Sequence, residues 1–394
     1  MSSHILISPK EKKSLTIFSL VFIFSLALIG LLGAAKDGFM NIQQQTDRAE
    51  IAVLAPLAKG EYGQGIVEVA SIALANRLSN SNEFEGKKIV IRAYNSGTTP
   101  GSAATAAFWI AQNPNVVAIV GPLNARQVQA VAETVKDKKI PILIPASTAP
   151  IDLNDFPNVY RLLKTDDYEG PAMASFLESR KDKVIFVVGE PTFYVARLLD
   201  RFNPELGPFT VKGTGDFSKE SAQIIVERMK DQDLDMVIYF GGPQKAIALL
   251  EEMGKNKLNI PILGPDTLYD TEFTSNYKGE NAVYFVSPIL YLQAIPDDML
   301  DPIYKTVLDT NMDSPYAFET TQAVWFITNA LANQQASKDW TLRQIVASQL
   351  TNNSLPGLED QNQQLSGHSR TPTAMYVYKY DSSDQSLALV KIFQ

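Results

Sequence analysis

Two hydroxyls, Ser147 and Thr148, lie in the stretch ILIPASTAP at residues 142–150, where an apolar, β-prone run stops abruptly at Pro, Ser, Thr and Pro. Such a run reads as a buried strand, and the loop after it leaves the carboxyl edge of a sheet, where small ligands bind in open α/β folds. The chemistry on offer is hydrogen bonding from hydroxyls and backbone. Catalysis has little to draw on. The chain contains no cysteine, which removes thiol nucleophiles, thiolate metal sites, disulfides and a lipid-modified cysteine anchor. His4 and His368 are the only histidines, too few for a histidine metal site or a Ser-His-Asp triad. Gly63-Gln64-Gly65 opens a G-x-G-x-x-G pattern, but Glu68 stands where the third glycine must let a helix approach, and its charge opposes a pyrophosphate. Residues 275–278 fit S-x-x-K, yet the NYKGEN context reads as a turn. The expectation is a binding protein without catalytic residues, cofactor or metal.

The elements that position the hydroxyls follow an α/β rhythm. Residues 50–57, EIAVLAPL, form a near-continuous apolar run, as expected of a parallel strand covered on both faces. A helix at 66–78, a strand at 88–94, a helix at 102–112, a strand at 116–120 and a helix at 125–136 lead into ILIPASTAP. A second series repeats this: strand 184–188, helices 192–202 and 218–230, strand 236–240, helix 244–253, and strands 260–263 and 282–286. Helices are expected at 297–310, 316–332 and 342–350, a polar connection at 352–373, and a closing strand pair at 374–380 and 387–393. The late helices have no strands between them, so they must pack on sheets already formed. This predicts an α/β fold of two doubly wound, parallel-sheet lobes joined by a multi-strand hinge. The boundaries are 49–164 with 289–352 for the first lobe and 165–288 with 353–394 for the second.

Composition agrees with a globular pair of lobes: 394 residues, 45% hydrophobic and 20% charged, are too many for one ordinary core. A formal net charge of −8 leaves no strongly basic face, so nucleic acid is not an expected partner. The first 35 residues stand outside the fold. Lys10, Lys12 and Lys13 precede an uncharged run at 15–32, which as a helix spans about 27 Å, close to the hydrocarbon core of a bilayer. Gly33, Ala34 and Ala35 offer a small-residue cleavage site, so a cleaved signal peptide and a retained inner-membrane anchor both remain open. Either way the remainder faces outward, in the periplasm or another extracytoplasmic space, behind a polar tether at 36–48.

The motifs in order, IAVLAPL, VGPLN, IPILIPASTAP, FPNVYRLLKTDDYEGP, VIFVVGEPTFY, DMVIYFGGP, IPILGPD and AVYFVSP, resemble the type I periplasmic binding proteins of the branched-chain amino acid class. The resemblance runs from residue 50 to the C-terminus. It implies a periplasmic binding protein-like fold and capture of an amino acid or similar small polar ligand by lobe closure, in service of an ABC permease. A membrane-anchored sensor with a signalling partner is the alternative.

The resemblance also implies site residues. Tyr62 follows the first strand, and Tyr194 begins a helix of the second lobe; both are placed to cover a side chain. Ala125 stands where the family offers a small hydroxyl to the ligand carboxylate, and Arg126 follows it, a departure from the family; the helix-start amides over Asn124 to Arg126 can serve the carboxylate. Ser147 and Thr148 match the family at the carboxylate. Asp166, at the first crossing, and Asp266, after the GP turn, are the ammonium acceptors. Pro243 occupies a position where the family often has an aromatic. A zwitterion needs this division into donors and acceptors, which helix-start amides and carboxylates supply.

Overall fold

The computed structural model describes residues 48–59, 63–80, 88–203, 207–309, 315–332, 341–352, 354–356, 362–371 and 373–393. The expected export segment and tether lie outside these residues.

Strand β1 (Arg48–Ala55) shows why the apolar run is continuous. Ile51, Val53 and Ala55 point to one face of the sheet, against α1 (Gly63–Ser79), while Ala52 and Leu54 point to the other. With period-two alternation, a strand covered on both faces must be apolar at every position. The second face is closed by α2 (Pro100–Gln112), which follows β2 (Lys88–Asn95), and by α3 (Ala125–Val135), which follows β3 (Val116–Val120). Then come β4 (Ile142–Ile144) and β5 (Val159–Arg161), after which the chain leaves this sheet.

The second lobe opens with α4 (Glu169–Arg180), β6 (Val184–Gly189), α5 (Phe193–Phe202) and β7 (Thr210–Asp216). It continues through α6 (Ala222–Met229), β8 (Met236–Phe240), α7 (Pro243–Lys255), β9 (Ile262–Gly264), α8 (Thr271–Asn276) and β10 (Val283–Ser287). Strand β7 was not expected. Its sequence, TVKGTGD, is half polar because it is an edge strand, held by parallel pairing with β6 rather than by burial. Helix α6 starts four residues later than expected, at the Ser221 cap, whose hydroxyl accepts from the Ile224 amide.

The remaining elements are α9 (Pro302–Asp309), α10 (Ala317–Ala332), α11 (Leu342–Gln349), β11 (Ser354–Pro356), β12 (Asn362–Ser366), β13 (Ser369–Thr371), β14 (Met375–Asp381) and β15 (Ser386–Phe393). The expected helix at 297–310 is split into a single turn over Asp297–Met299 and α9, because Pro302 starts a helix but cannot continue one. Two mixed sheets result, ordered β11-β12-β13-β5-β4-β3-β1-β2 and β15-β14-β10-β9-β8-β6-β7. Each has a parallel centre extended by strands from the tail: β13 adds parallel to β5, with β12 and β11 antiparallel beyond it, and β14 and β15 add antiparallel to β10. The polar connection expected at 352–373 supplies β11–β13, which join the first sheet, so the tail grouped above with the second lobe is divided between the two. Helix α9 packs Ile303, Tyr304 and Val307 into a cluster that contains Val69 of α1 as well as residues of the second sheet.

The chain passes between the sheets after β5, between β10 and β11, and between β13 and β14. A polar junction lies where the last two passages meet α10. Glu319, fully buried, accepts from the Leu290 amide at 3.4 Å and feels the charge of Arg370, which is 2% exposed. The Tyr378 hydroxyl donates to the Ile289 carbonyl at 2.8 Å and accepts from the Tyr291 amide at 3.1 Å.

Two predictions follow from this packing. Burial pushes the Glu319 carboxyl from 4.5 up to about 7, against the pull of Arg370. A carboxyl whose folded pKa is raised stabilises the fold at low pH and loses that contribution as pH rises through the folded value. Unfolding free energy should therefore fall between pH 4.5 and 7 by an amount on the order of 3 kcal/mol from this group, and Glu319→Gln should flatten that slope in urea titrations. At the α4–α5 contact, a Cβ on Gly170 would lie 2.8 Å from the Phe202 amide nitrogen, and backbone cannot step aside. Gly170→Ala should lower the denaturation midpoint by about 1–3 kcal/mol of stability.

Candidate functional site

In the first sheet, β1 and β3 are neighbours, but the chain leaves β1 toward β2 on one side and β3 toward β4 on the other. Loops that diverge in this way leave a crevice at the carboxyl ends of the two strands. Tyr62, expected in the loop after β1, lies outside the described residues. The loop after β3 ends at Asn124, which is exposed and caps α3: its carboxamide oxygen accepts from the Gln127 amide at 3.1 Å. Asn124 thus serves the helix with its side chain. The first-turn amides of Ala125 and Arg126 remain as donors, since an α-helix leaves its first N–H groups without internal partners. Arg126 is exposed at the same helix start. Gln127, buried, donates to the Gly97 carbonyl at 2.9 Å and ties this loop to the one after β2.

The loop after β4 brings three expected residues together. Ser147 is 3% exposed, and its hydroxyl has no hydrogen-bond partner among the described residues. The Thr148 carbonyl accepts from the Asp166 amide at 3.1 Å, which brings the Thr148 hydroxyl near the Asp166 carboxylate. Burial raises the Asp166 pKa, offset in part by that hydroxyl and by the charges of Arg161 and Arg197. Its neighbour Asp167 is committed elsewhere: Arg197 grips it with two nitrogens at 2.8–3.0 Å, and Arg201 reaches it at 3.2 Å. Of the adjacent acids, Asp166 faces the loop and Asp167 fastens α5.

In the second sheet the strand order reverses between β6 and β8. After β6, Thr192 caps α5 by accepting from the Val195 amide at 3.1 Å, and Tyr194 sits in that helix's first turn. Nothing is described of the Tyr194 side chain. After β8, Pro243 is the first residue of α7, which accounts for proline where an aromatic was looked for. After β9, Asp266 is half-buried and lines a cavity of about 480 Å³ with Thr267, Tyr269, Thr271, Tyr291 and Tyr316. Tyr269 stacks on Phe285 at 4.8 Å and meets Tyr291 edge-on at 5.2 Å. The Tyr291 phenol is held well above its usual range by burial and by the Asp266 charge. Sequence reasoning missed Tyr269, Tyr291 and Tyr316. The available signal was the tyrosine three residues beyond the GPD turn and another three beyond AVYFVSP.

A larger cavity, about 750 Å³, flanks the first crossing, between the tail of the β4 loop (Asp152, Asn154), Lys164, Arg201 and His368. None of the expected ligand residues lines it. Among the described residues no group of acids and histidines could hold a metal ion, and no helix is long and apolar enough to cross a membrane.

Known proteins share this fold. The Leu/Ile/Val-binding protein BraC3 of Rhizobium johnstonii is 26% identical over 237 residues, which cover 57% of this chain and 62% of that protein. The branched-chain amino acid transporter substrate-binding protein LivJ of Streptococcus pneumoniae, solved with isoleucine, superposes with a TM-score of 0.66 at 16% identity, covering 87% of this chain and 99% of that one. The solute-binding protein of an ABC transporter from Rhodopseudomonas palustris, solved with 3,4-dihydroxybenzoic acid, gives 0.64 at 14% identity, covering 88% and 98%. A family model described as periplasmic binding protein matches residues 50–385, and the chain accordingly belongs to the periplasmic binding protein family.

Proposed function

We propose that this protein captures an amino acid or a similar small polar molecule between its lobes and delivers it to an ABC permease in the membrane. The carrying observation is the division of chemistry between two walls. The first lobe offers hydrogen-bond donors, the Ser147 and Thr148 hydroxyls and the α3 helix start, which suit a carboxylate. The second offers Asp266 beside tyrosine rings, which suits an ammonium and a side chain. Asp166 contributes by holding Thr148 more than by accepting an ammonium itself, and Arg126 adds a cation at the carboxylate end. Tyr62 and Tyr194 complete the enclosure in this reading. The relatives named for leucine, isoleucine and valine support the amino-acid class, and the family supports a periplasmic location. Residues 1–35 then serve as the export signal or as an anchor, the anchor leaving a signalling partner as the alternative to the permease.

Magnitudes favour enclosure. Micromolar binding needs about 8 kcal/mol, and a ligand of about nine heavy atoms has a ceiling of roughly 1.5 kcal/mol per atom. Such efficiency requires contacts on every side of the ligand, which hinged lobes provide.

Calorimetry and thermal shift against amino acids, dicarboxylates and aromatic acids test the proposal. A response to zwitterions is expected; a response confined to acids without an ammonium would sink the amino-acid reading. Asp266→Ala should weaken amino-acid binding at least tenfold while the protein stays folded, and unchanged affinity moves the ammonium site elsewhere. Ser147→Ala should leave the unliganded protein as stable as before, within about 1 kcal/mol, because the hydroxyl has no bond to lose among the described residues, yet it should weaken binding.

A further inference from the structure

We infer that Arg161, a buried residue outside the ligand contacts, is a positioning residue that sets the orientation of the Ser147–Thr148 loop for binding. The inference rests on the capture reading above.

Arg161 closes β5, one strand beyond β4, and its side chain is almost fully enclosed, with 4% exposure. One terminal nitrogen donates to the Ser147 carbonyl and the other to the Ala149 carbonyl at 3.1 Å. The Arg161 backbone amide donates to the His368 carbonyl at 2.7 Å, where β13 pairs with β5, so the clamp is rooted in a strand of the last crossing. From the other side, the Asp166 amide holds the Thr148 carbonyl. Two consecutive peptide planes are thereby fixed, the one after Ser147 by Arg161 and the one after Thr148 by Asp166. In a trans peptide the N–H points opposite the C=O, so the amides of Thr148 and Ala149 are turned away from these anchors. The loop's donors are aimed before any ligand arrives.

The residue type fits the task. A guanidinium presents several donors in a rigid fork and stays charged when desolvated, so it can span two carbonyls. An ammonium is a point charge on a flexible stem and cannot hold both carbonyls in one plane. The same chemistry recurs in the same lobe as an internal control. Arg343 of α11 donates to the Val116 carbonyl at 2.7 Å and the Asn113 carbonyl at 2.6 Å, at the opposite end of β3 from the binding loops.

The test compares Arg161→Lys with Arg343→Lys on the full chain. The probe is whichever of the twenty standard L-amino acids most raises the wild-type melting temperature. Arg161→Lys should weaken binding of that probe at least tenfold, with a melting temperature no lower than that of Arg343→Lys. Arg343→Lys should keep its affinity within twofold. Binding by Arg161→Lys within twofold of wild type overturns the inference, as does an equal loss in both variants. If Arg161→Lys does not fold, Arg161→Gln takes its place; if neither folds, a role in the whole fold replaces the role in the loop and the inference fails. If the wild type binds no amino acid, the capture reading fails instead. The clamp is then read by hydrogen exchange at the amides of residues 146–149, where faster exchange in Arg161→Lys supports it and an unchanged rate overturns it.

Discussion

Three charged groups sunk near the passages between the lobes, Arg161, Glu319 and Arg370, impose the constraint on which the rest of the structure turns. A charge removed from water is tolerated only when its polar atoms are aimed at partners. Arg161 meets that demand with two loop carbonyls. Glu319 meets it in part with the Leu290 amide and in part by favouring its neutral form. Arg370 lies 5.1 Å from the Phe318 ring and beside the Glu319 charge, while its Nε and one terminal nitrogen have no partner among the described residues. The passages are therefore places where chain direction and polar satisfaction must be solved together. That joint requirement fixes the backbone of the loops leaving the sheets.

The central architecture was legible because it rests on burial. Strands β1, β3, β8 and β10 are apolar at nearly every position since helices cover both faces, and amphipathic helices such as α3 announce the face they bury. What escaped is what backbone pairing alone holds. Strand β7, an edge, carries two glycines and a lysine within seven residues, and β12, paired on both sides, reads NQQLS; neither has an apolar pattern to detect, because ladder pairing needs only a neighbour's amides and carbonyls. Long-range pairing of this kind leaves no local trace. The division of the tail between sheets was invisible for the same reason.

The site divides along a similar line. Ser147, Thr148 and Asp166 were expected near one another from the abrupt end of an apolar run and from motif order, and the Asp166 amide does hold the Thr148 carbonyl. Asn124 was also identifiable, but as a residue near the loop rather than as a helix cap, since a cap reveals itself through a hydrogen bond to Gln127. Arg161 gave no signal as a clamp: within NVYRLLK an arginine closing a short strand looks like a solvated end. Only the fold brings Ser147 and Ala149 against it. The tyrosines around Asp266 come from a turn and from a crossing, segments separated by a helix and a strand.

The polarity of the two walls follows from where each is built. A loop that precedes a helix inherits unpaired amides and the positive end of the helix dipole, so the α3 start offers donors without needing a basic side chain, whereas the β4 loop, which leads into β5, owes its donors to the carbonyls that Arg161 and Asp166 hold. Asp266 follows a strand and stands in a single turn over Asp266–Leu268, too short to supply a helix dipole of consequence. A carboxylate there is set among tyrosine rings rather than at a field that would neutralise it. The acidic wall is a side-chain device and the donor wall largely a backbone one. Substitution can retune the first with one residue, as Asp266 allows. The second changes only by moving backbone, and Arg161 holds that backbone in place.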